Sequence, residues 1–172
     1  MTDYQWLTAQ QAQAELPALC AVLDGCIAEG ASIGFIQRDP ELLRHFWQDA
    51  LLSLACGDKQ LLVARIEGRI VATVMLALAM PANGAHRGEI IKLLVHPDAR
   101  RRGIARQLMC RAEQKAWQAG RSLLVLDTRS GDIAESLYLQ LGWQVAGQIP
   151  ACARSTAGDL DTTTLMYKQH SG

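Results

Sequence analysis

Apolar positions along this chain change period several times, and each change marks an element. Tyr4 to Leu7 reads as a short strand. Ala12, Leu16, Leu19, Leu23, Cys26 and Ile27 then recur at helical spacing and stop at Gly30. Pro17 inside that pattern predicts either a kink or the true first turn of the helix. Asp39-Pro40 reads as the N-cap and first residue of a second helix, with the stripe Leu42, Phe46, Ala50 and Leu54 and with Gly57 as its stop. From there the period shortens. Gln60–Ile66 and Arg69–Ala79 read as strands joined by the two-residue hairpin signal Glu67-Gly68. Pro81-Ala82-Asn83-Gly84 is a further turn, leading into Glu89–Val95, a near-continuous β-favouring run of the kind covered on both faces. Ile104, Leu108, Ala112 and Ala116 return to helical spacing before Gly120. Ser122–Asp127 is another buried strand, Ile133–Leu141 a short helix closed by Gly142, and Trp143–Ile149 and Thr162–Tyr167 the last two strands, joined by a polar loop.

The predicted order is β-α-α-β-β-β-α-β-α-β-β, antiparallel hairpins around one central β-α-β crossover. This is a mixed α/β (α+β) class: a mostly antiparallel sheet of about six or seven strands flanked by about four helices. No repeat, low-complexity tract or linker divides residues 1–172, so a single domain is expected.

Composition narrows the partners. Apolar residues make up 49% and charged residues 20%, which supports a packed core. Lys plus Arg and Asp plus Glu number 17 each, so no overall field draws nucleic acid or an anionic membrane. Arg100, Arg101, Arg102 and Arg106 are instead clustered, which suits a small anion. The five cysteines are odd in number and lack a C-x-x-C pair, favouring reduced thiols and a cytoplasmic setting. The four histidines show no ligand spacing, so no metal is expected. No apolar run approaches the roughly 18 residues of a membrane span, and no signal pattern opens the chain.

The cluster lies where the chemistry is most legible. The strand ending at Val95 is followed by Pro97, which cannot donate to a ladder, then by the turn Arg100-Arg101-Arg102-Gly103-Ile104-Ala105 and the start of a helix. Strand, basic glycine-containing turn and helix N-terminus make an anion site, because free backbone N–H groups and the helix dipole converge there. Neither G-x-x-x-x-G-K-[ST] nor G-x-G-x-x-G occurs. The turn reads Arg100-x-x-Gly103-x-Ala105 and resembles the [R/Q]-x-x-G-x-[G/A] signature of the GNAT N-acetyltransferases, whose backbone amides wrap the pyrophosphate of acetyl-CoA. The order of elements is similar to the GNAT order over nearly the whole chain.

Within that superfamily, Gly30–Phe35, Pro81–Gly84, Glu89–Leu93, Arg106–Met109, Leu126–Thr128 and Ile133–Tyr138 resemble the tabtoxin-resistance acetyltransferases, which acetylate an amine and disarm a β-lactam toxin. The resemblance implies a cytoplasmic, acetyl-CoA-dependent N-acetyltransferase with a role in antibiotic or toxin resistance, acting on a small-molecule amine; monomer and homodimer both stay open. Alternatives are acetylation of protein amines, a non-catalytic CoA-sensing or interaction domain of the same fold, and a binding protein for another phosphorylated ligand.

Acetyl transfer needs a neutral amine, stabilisation of the charge gained by the thioester oxygen and a proton for the thiolate. Glu89, at the start of its strand, and Asp127, at the C-terminal end of the next, match acidic positions of the resembled family's acceptor site, and either could serve as the base. Tyr138 falls in Ala134-x-x-x-Tyr138-x-x-Leu141-Gly142-Trp143, which resembles the GNAT pattern whose tyrosine lies near the CoA sulfur, and it is the candidate acid. Many GNAT proteins carry an asparagine seven residues before this tyrosine, where Gly131 stands here. The pantetheine arm is therefore expected on backbone groups of Leu93, Leu94 and Val95, with Arg100 to Arg106 around the pyrophosphate. Ser32, Phe35 and Trp47 are the acceptor-pocket candidates, with the late polar loop from Cys152 to Asp161.

Overall fold

The structure, a computed structural model, describes residues 1–31 and 33–171. Thr2–Leu7 (β1) is followed by two helices, Ala9–Ala14 (α1) and Leu16–Ala28 (α2), where one was expected. The break at Glu15 has a clear cause, since Pro17 sits in the first turn of α2 and cannot continue a helix from α1. Thr8 and Gln11 close a reciprocal capping box on α1 at 2.9 and 3.1 Å. Pro40–Cys56 (α3) starts as predicted, with the Asp39 carboxylate accepting the Glu41 N–H at 3.0 Å and Gly57 in the left-handed region at its end. Lys59–Ile66 (β2), Arg69–Ala77 (β3), Arg87–Val95 (β4), Ile104–Gln118 (α4), Leu123–Arg129 (β5), Ile133–Gln140 (α5), Gln144–Arg154 (β6) and Leu160–Gln169 (β7) complete the chain. The last hairpin is longer than its apolar run indicated. Strand β6 lies at the sheet edge, where Pro150 removes no ladder bond and a bulge at Ala151 is accommodated.

One seven-stranded sheet has the order β1-β2-β3-β4-β5-β7-β6, and only β4 and β5 run parallel. Their shared ladder is short, with Arg87, Gly88 and Glu89 opposite Leu123, Leu124 and Val125. Beyond it β4 follows β3 as far as Val95, while β5 follows β7 as far as Arg129. The two central strands therefore part, and a wedge opens between residues 90–95 and 126–129. Arg121 clamps its closed end, donating to the carbonyls of Ala85 and Arg87 at 2.8 and 3.0 Å.

Strand alternation sends side chains into two separate cores. Leu62, Val74, Leu76, Ile90, Leu124 and Leu126 pack with α4, Tyr138 and Trp143 on one face. Leu61, Val63, Met75 and Leu94 pack with α1, α2 and α3 on the other. A buried charge joins three elements of the first face. Glu113 of α4 accepts from Lys168 of β7 at 2.6 Å and from the Trp143 indole at 3.0 Å, and Lys168 also donates to the Leu141 carbonyl at 2.6 Å. This network fixes the end of α5 against α4. Glu113→Leu should destabilise the fold by about 2–3 kcal/mol in urea titration, because a mostly buried ammonium and an indole N–H lose their acceptor. Adding Lys168→Met should recover much of that loss.

Candidate active site

The turn after β4 is shaped by conformation as much as by charge. The His96 ring nitrogen Nδ1 accepts the Asp98 N–H at 3.2 Å and starts a short 3-10 turn, Pro97–Ala99. Helix α2 comes close because Gly25 has no side chain; a Cβ there would lie 2.8 Å from the His96 imidazole. Arg101 and Gly103 both adopt left-handed backbone, φ 64° and 75°. Left-handed residues alternating with ordinary ones turn successive N–H groups inward, the geometry of an anion nest. Gly103 is the N-cap of α4 and has no capping side chain, so the first N–H groups of that helix face the same hollow. A Cβ on Gly103 would meet no protein atom within 4 Å, so the space beside it is open. The turn and wedge thus fit a long ligand with a phosphorylated end.

The basic residues divide into two sets. Arg101 and Arg102 are exposed beside the nest. Arg100 is committed to the protein, its Nε donating to the Val95 carbonyl at 3.3 Å and its Nη1 standing 3.9 Å from Glu29. Arg106 donates to Gln140, tying α4 to α5. Ile104 is buried and offers a ligand only its backbone, while Ala105 follows it in the first helical turn.

Along the wedge the pattern differs from expectation at one residue. His96 N–H bonds the Val71 carbonyl at 2.8 Å, so the alternation of an antiparallel ladder gives the Leu94 backbone to β3 and turns that of Leu93 and Val95 toward the wedge. Leu94 is thus corrected out of the predicted edge. The Val95 carbonyl also accepts from Cys26 Sγ at 3.4 Å and from Arg100, leaving its N–H and the Leu93 groups.

Glu89 and Asp127 share the sheet face that carries α1 to α3, since Ile90, Leu124 and Leu126 occupy the opposite one. Glu89 is half-buried and Asp127 exposed. Burial raises the Glu89 pKa, the neighbouring Asp127 charge adds to the rise, and Lys59 and Lys92 oppose it. Tyr138 lies across the sheet in the α4 core, 6% exposed, with its ring centroid 6.2 Å from that of Trp143. Burial, and after it the charges of Asp127 and Asp132, push its phenol well above the ordinary value.

The acceptor candidates separate. Trp47 is wholly buried among Leu61, Val63 and Met75, so its expected ligand contact is corrected to a core role. Phe35 is half-buried and meets Phe46 edge-on at 5.8 Å beside the carboxylate face. Ser32 lies outside the described residues. Ser155, Thr156 and Asp159 of the late loop line an open cleft with Gly30 and Arg129.

Two residues escaped sequence reasoning. Arg129 bonds Asp132 at 2.9 Å and the Gly30 carbonyl at 3.0 Å, and stands 3.6 Å from Asp161, joining four segments at the mouth of the wedge. Lys92 occupies a bulge in β4 with φ 53°, its carbonyl accepting the buried Thr73 hydroxyl at 3.0 Å. Its ammonium donates to the Ile33 carbonyl at 3.3 Å and lies 5.3 Å from the centre of the Phe46 ring. Burial lowers its pKa. Neither side chain carries a motif, and only the register of β4 would have revealed Lys92.

The sequence model of the acetyltransferase (GNAT) family matches residues 34–143, which contain β2 to α5 and the whole wedge. The chain belongs to the GNAT acetyltransferase family. An uncharacterized N-acetyltransferase from the hisH–hisA intergenic region of Azospirillum brasilense is 28% identical over 118 residues, covering 67% of this chain and 68% of its own. In fold, this GNAT acetyltransferase is similar to a ribosomal-protein-alanine N-acetyltransferase of Brucella melitensis, with TM-score 0.79, 24% identity and coverage of 98% and 99% of the two chains. It is also similar to an acetyltransferase of Salmonella typhimurium solved with acetyl-CoA, with TM-score 0.78, 19% identity and coverage of 100% and 97%. As a member of this family, the protein is an acyltransferase. Among the described residues no His, Cys, Asp and Glu side chains assemble a metal site, and no helix is long and apolar enough to cross a membrane.

Two outcomes follow from this geometry. Gly103→Ala should cost about 1 kcal/mol in stability, the strain of a left-handed alanine. It should also weaken acetyl-CoA about tenfold in calorimetry, because the methyl group enters the open space beside the nest. Folding raises the Glu89 pKa, so its ionised form costs stability above the folded value, and that cost disappears below the ordinary value of about 4.3. Glu89→Gln should therefore raise Tm at about pH 8 and leave it nearly unchanged at about pH 4.

Proposed function

We propose that this protein moves the acetyl group of acetyl-CoA to the amine of a small molecule by direct attack in a ternary complex. The observation that carries this reading is the wedge, with Glu89 and Asp127 on one sheet face and Tyr138 packed on the other. In this reading the nest from Arg100 to Ala105, with Arg106 beside it, receives the pyrophosphate, and the Leu93 and Val95 backbones hold the pantetheine arm. Bound acetyl-CoA supplies an activated acetyl thioester. Glu89, whose pKa is raised by burial and by the Asp127 charge and which is therefore a stronger base than an ordinary carboxylate, takes the proton from the acceptor ammonium. Asp127 orients that amine. The Tyr138 hydroxyl, kept protonated by burial, donates its proton to the departing thiolate. Direct attack is favoured over a cysteine intermediate because Cys110 is exposed on α4 and Cys26 is buried and hydrogen-bonded to the Val95 carbonyl.

The segments that resemble tabtoxin-resistance acetyltransferases favour a toxin or antibiotic, such as a β-lactam, as the acceptor. A cytoplasmic resistance role belongs to the same reading. The homodimer reading draws on edge strand β6, which exposes Val145 and Ile149.

The test is an amine screen that reads free CoA, with β-lactam toxins, aminoglycosides, amino acids, polyamines and a peptide with an N-terminal alanine. Release with a small-molecule amine supports the reading. Release only with the peptide turns it toward protein amines, and acetyl-CoA binding without transfer to any amine overturns it. On an active acceptor, Tyr138→Phe should lower kcat about 10²-fold and leave acetyl-CoA affinity unchanged. Unchanged turnover would remove Tyr138 from the chemistry.

A further inference from the structure

Lys92 is an ionisable side chain beside Glu89 and Asp127 that acetyl transfer, as described above, leaves without work. Its backbone is the first sign of a purpose. Left-handed conformation costs a bulky residue roughly 1 kcal/mol or more, and such strain persists only where the surroundings hold it. Here Thr73, fully buried in β3, holds the Lys92 carbonyl through its hydroxyl. The bulge alters facing as well. Ile90 packs with α4 and Ile91 against the α2–α3 core, and without the extra residue Lys92 would return to the α4 side. Instead its ammonium lies against Ile33 and Phe46, on the face that carries Glu89 and Asp127.

The surroundings of the ammonium are the second sign. An ammonium has three protons to donate, and among the described residues Lys92 places one, on the Ile33 carbonyl. No described carboxylate comes within 4 Å of it, although Glu89 and Asp127 are near enough to act on it at longer range. A half-buried cation left in that condition has capacity for an anion. Charge balance points the same way. Glu89, Asp127, Lys59 and Lys92 form a neutral set. An acceptor arriving as a bare ammonium would add one positive charge to this crevice, whereas an ammonium joined to a carboxylate adds none.

We propose that Lys92 sets acceptor specificity: its ammonium binds a carboxylate on the same molecule whose amine faces Glu89 and Asp127, so the acceptor class is the amino carboxylates. This rests on the acetyl-transfer reading above. Burial lowers the Lys92 pKa, and a carboxylate in contact would raise it again, so the site gains charge stability when filled.

The test uses methionine, phenylalanine and glutamine, each paired with its carboxamide, and measures kcat/KM by CoA release. The parent should prefer acids to amides at least tenfold. Lys92→Gln, which keeps a donor for the Ile33 carbonyl, should bring that ratio close to one through the acid's KM, and Lys92→Arg should retain the preference. A parent that favours the amides overturns the proposal. So does an equal loss on acids and amides in Lys92→Gln, which would make Lys92 only a counter-charge for Glu89 and Asp127. If no compound is acetylated, transfer to these amines has failed, and calorimetry of the same six compounds on acetyl-CoA-saturated protein decides separately. Acid binding abolished by Lys92→Gln supports the assignment, and no acid binding overturns it.

Discussion

The parting of β4 from β5 is the constraint on which the rest of this structure depends. Two parallel strands that stayed paired to their ends would leave no space between them, and every group near the centre of the sheet would be covered. The ladder instead ends at Glu89 and Val125, while each strand remains bonded to its outer neighbour. The bulge at Lys92 lies where β4 leaves β5. It adds a residue, increases local twist and presents the Leu93 and Val95 backbones to the opening. Thr73 stabilises it from inside the sheet, so a single buried hydroxyl supports the shape of the wedge.

A sheet that opens in its middle also divides the chemistry between its two faces. Glu89, Asp127 and Lys92 belong to the side of α2 and α3, and Tyr138 to the side of α4 and α5. In the proposed reaction, the groups assigned to the acceptor are thereby kept apart from the group assigned to the leaving thiolate, with the wedge between them. Holding that arrangement falls to polar contacts at the ends of the elements. Glu113 binds Trp143 and Lys168 and fixes the end of α5, while Arg129 ties the end of β5 to Gly30 and Asp161. The polar links therefore lie at the junctions between elements, where a small shift would widen or close the wedge.

Much of this was legible without coordinates, for identifiable reasons. Helices α3 and α4 follow from strong stripes bounded by residues with one local meaning, Asp39-Pro40 and Gly57 for the first and Gly103 for the second. The hairpin at Glu67-Gly68 is equally local. Misreadings arose where local signals were ambiguous or absent. Pro17 allowed a kink or a start, and only packing chose the start. Trp47 shares its helix face with Leu43, Ala50 and Leu51, and aromatic character alone did not reveal that the face is wholly buried. Leu94 is indistinguishable from its neighbours in sequence because side-chain pattern says nothing about which way a backbone carbonyl points.

By itself, the sequence determined the kinds and order of the elements apart from the division of the first helix before Pro17, the basic glycine turn, the strands that carry Glu89 and Asp127 and the tyrosine of α5, because each is a matter of spacing along one stretch of chain. Only the tertiary structure decided that β4 and β5 separate after three paired residues, that the acids and the tyrosine stand on opposite faces, and that Lys92 turns toward the acids. Those outcomes depend on register and bulging between strands far apart in sequence. They are settled by the joint packing of two cores on one sheet, and no single segment carries that information.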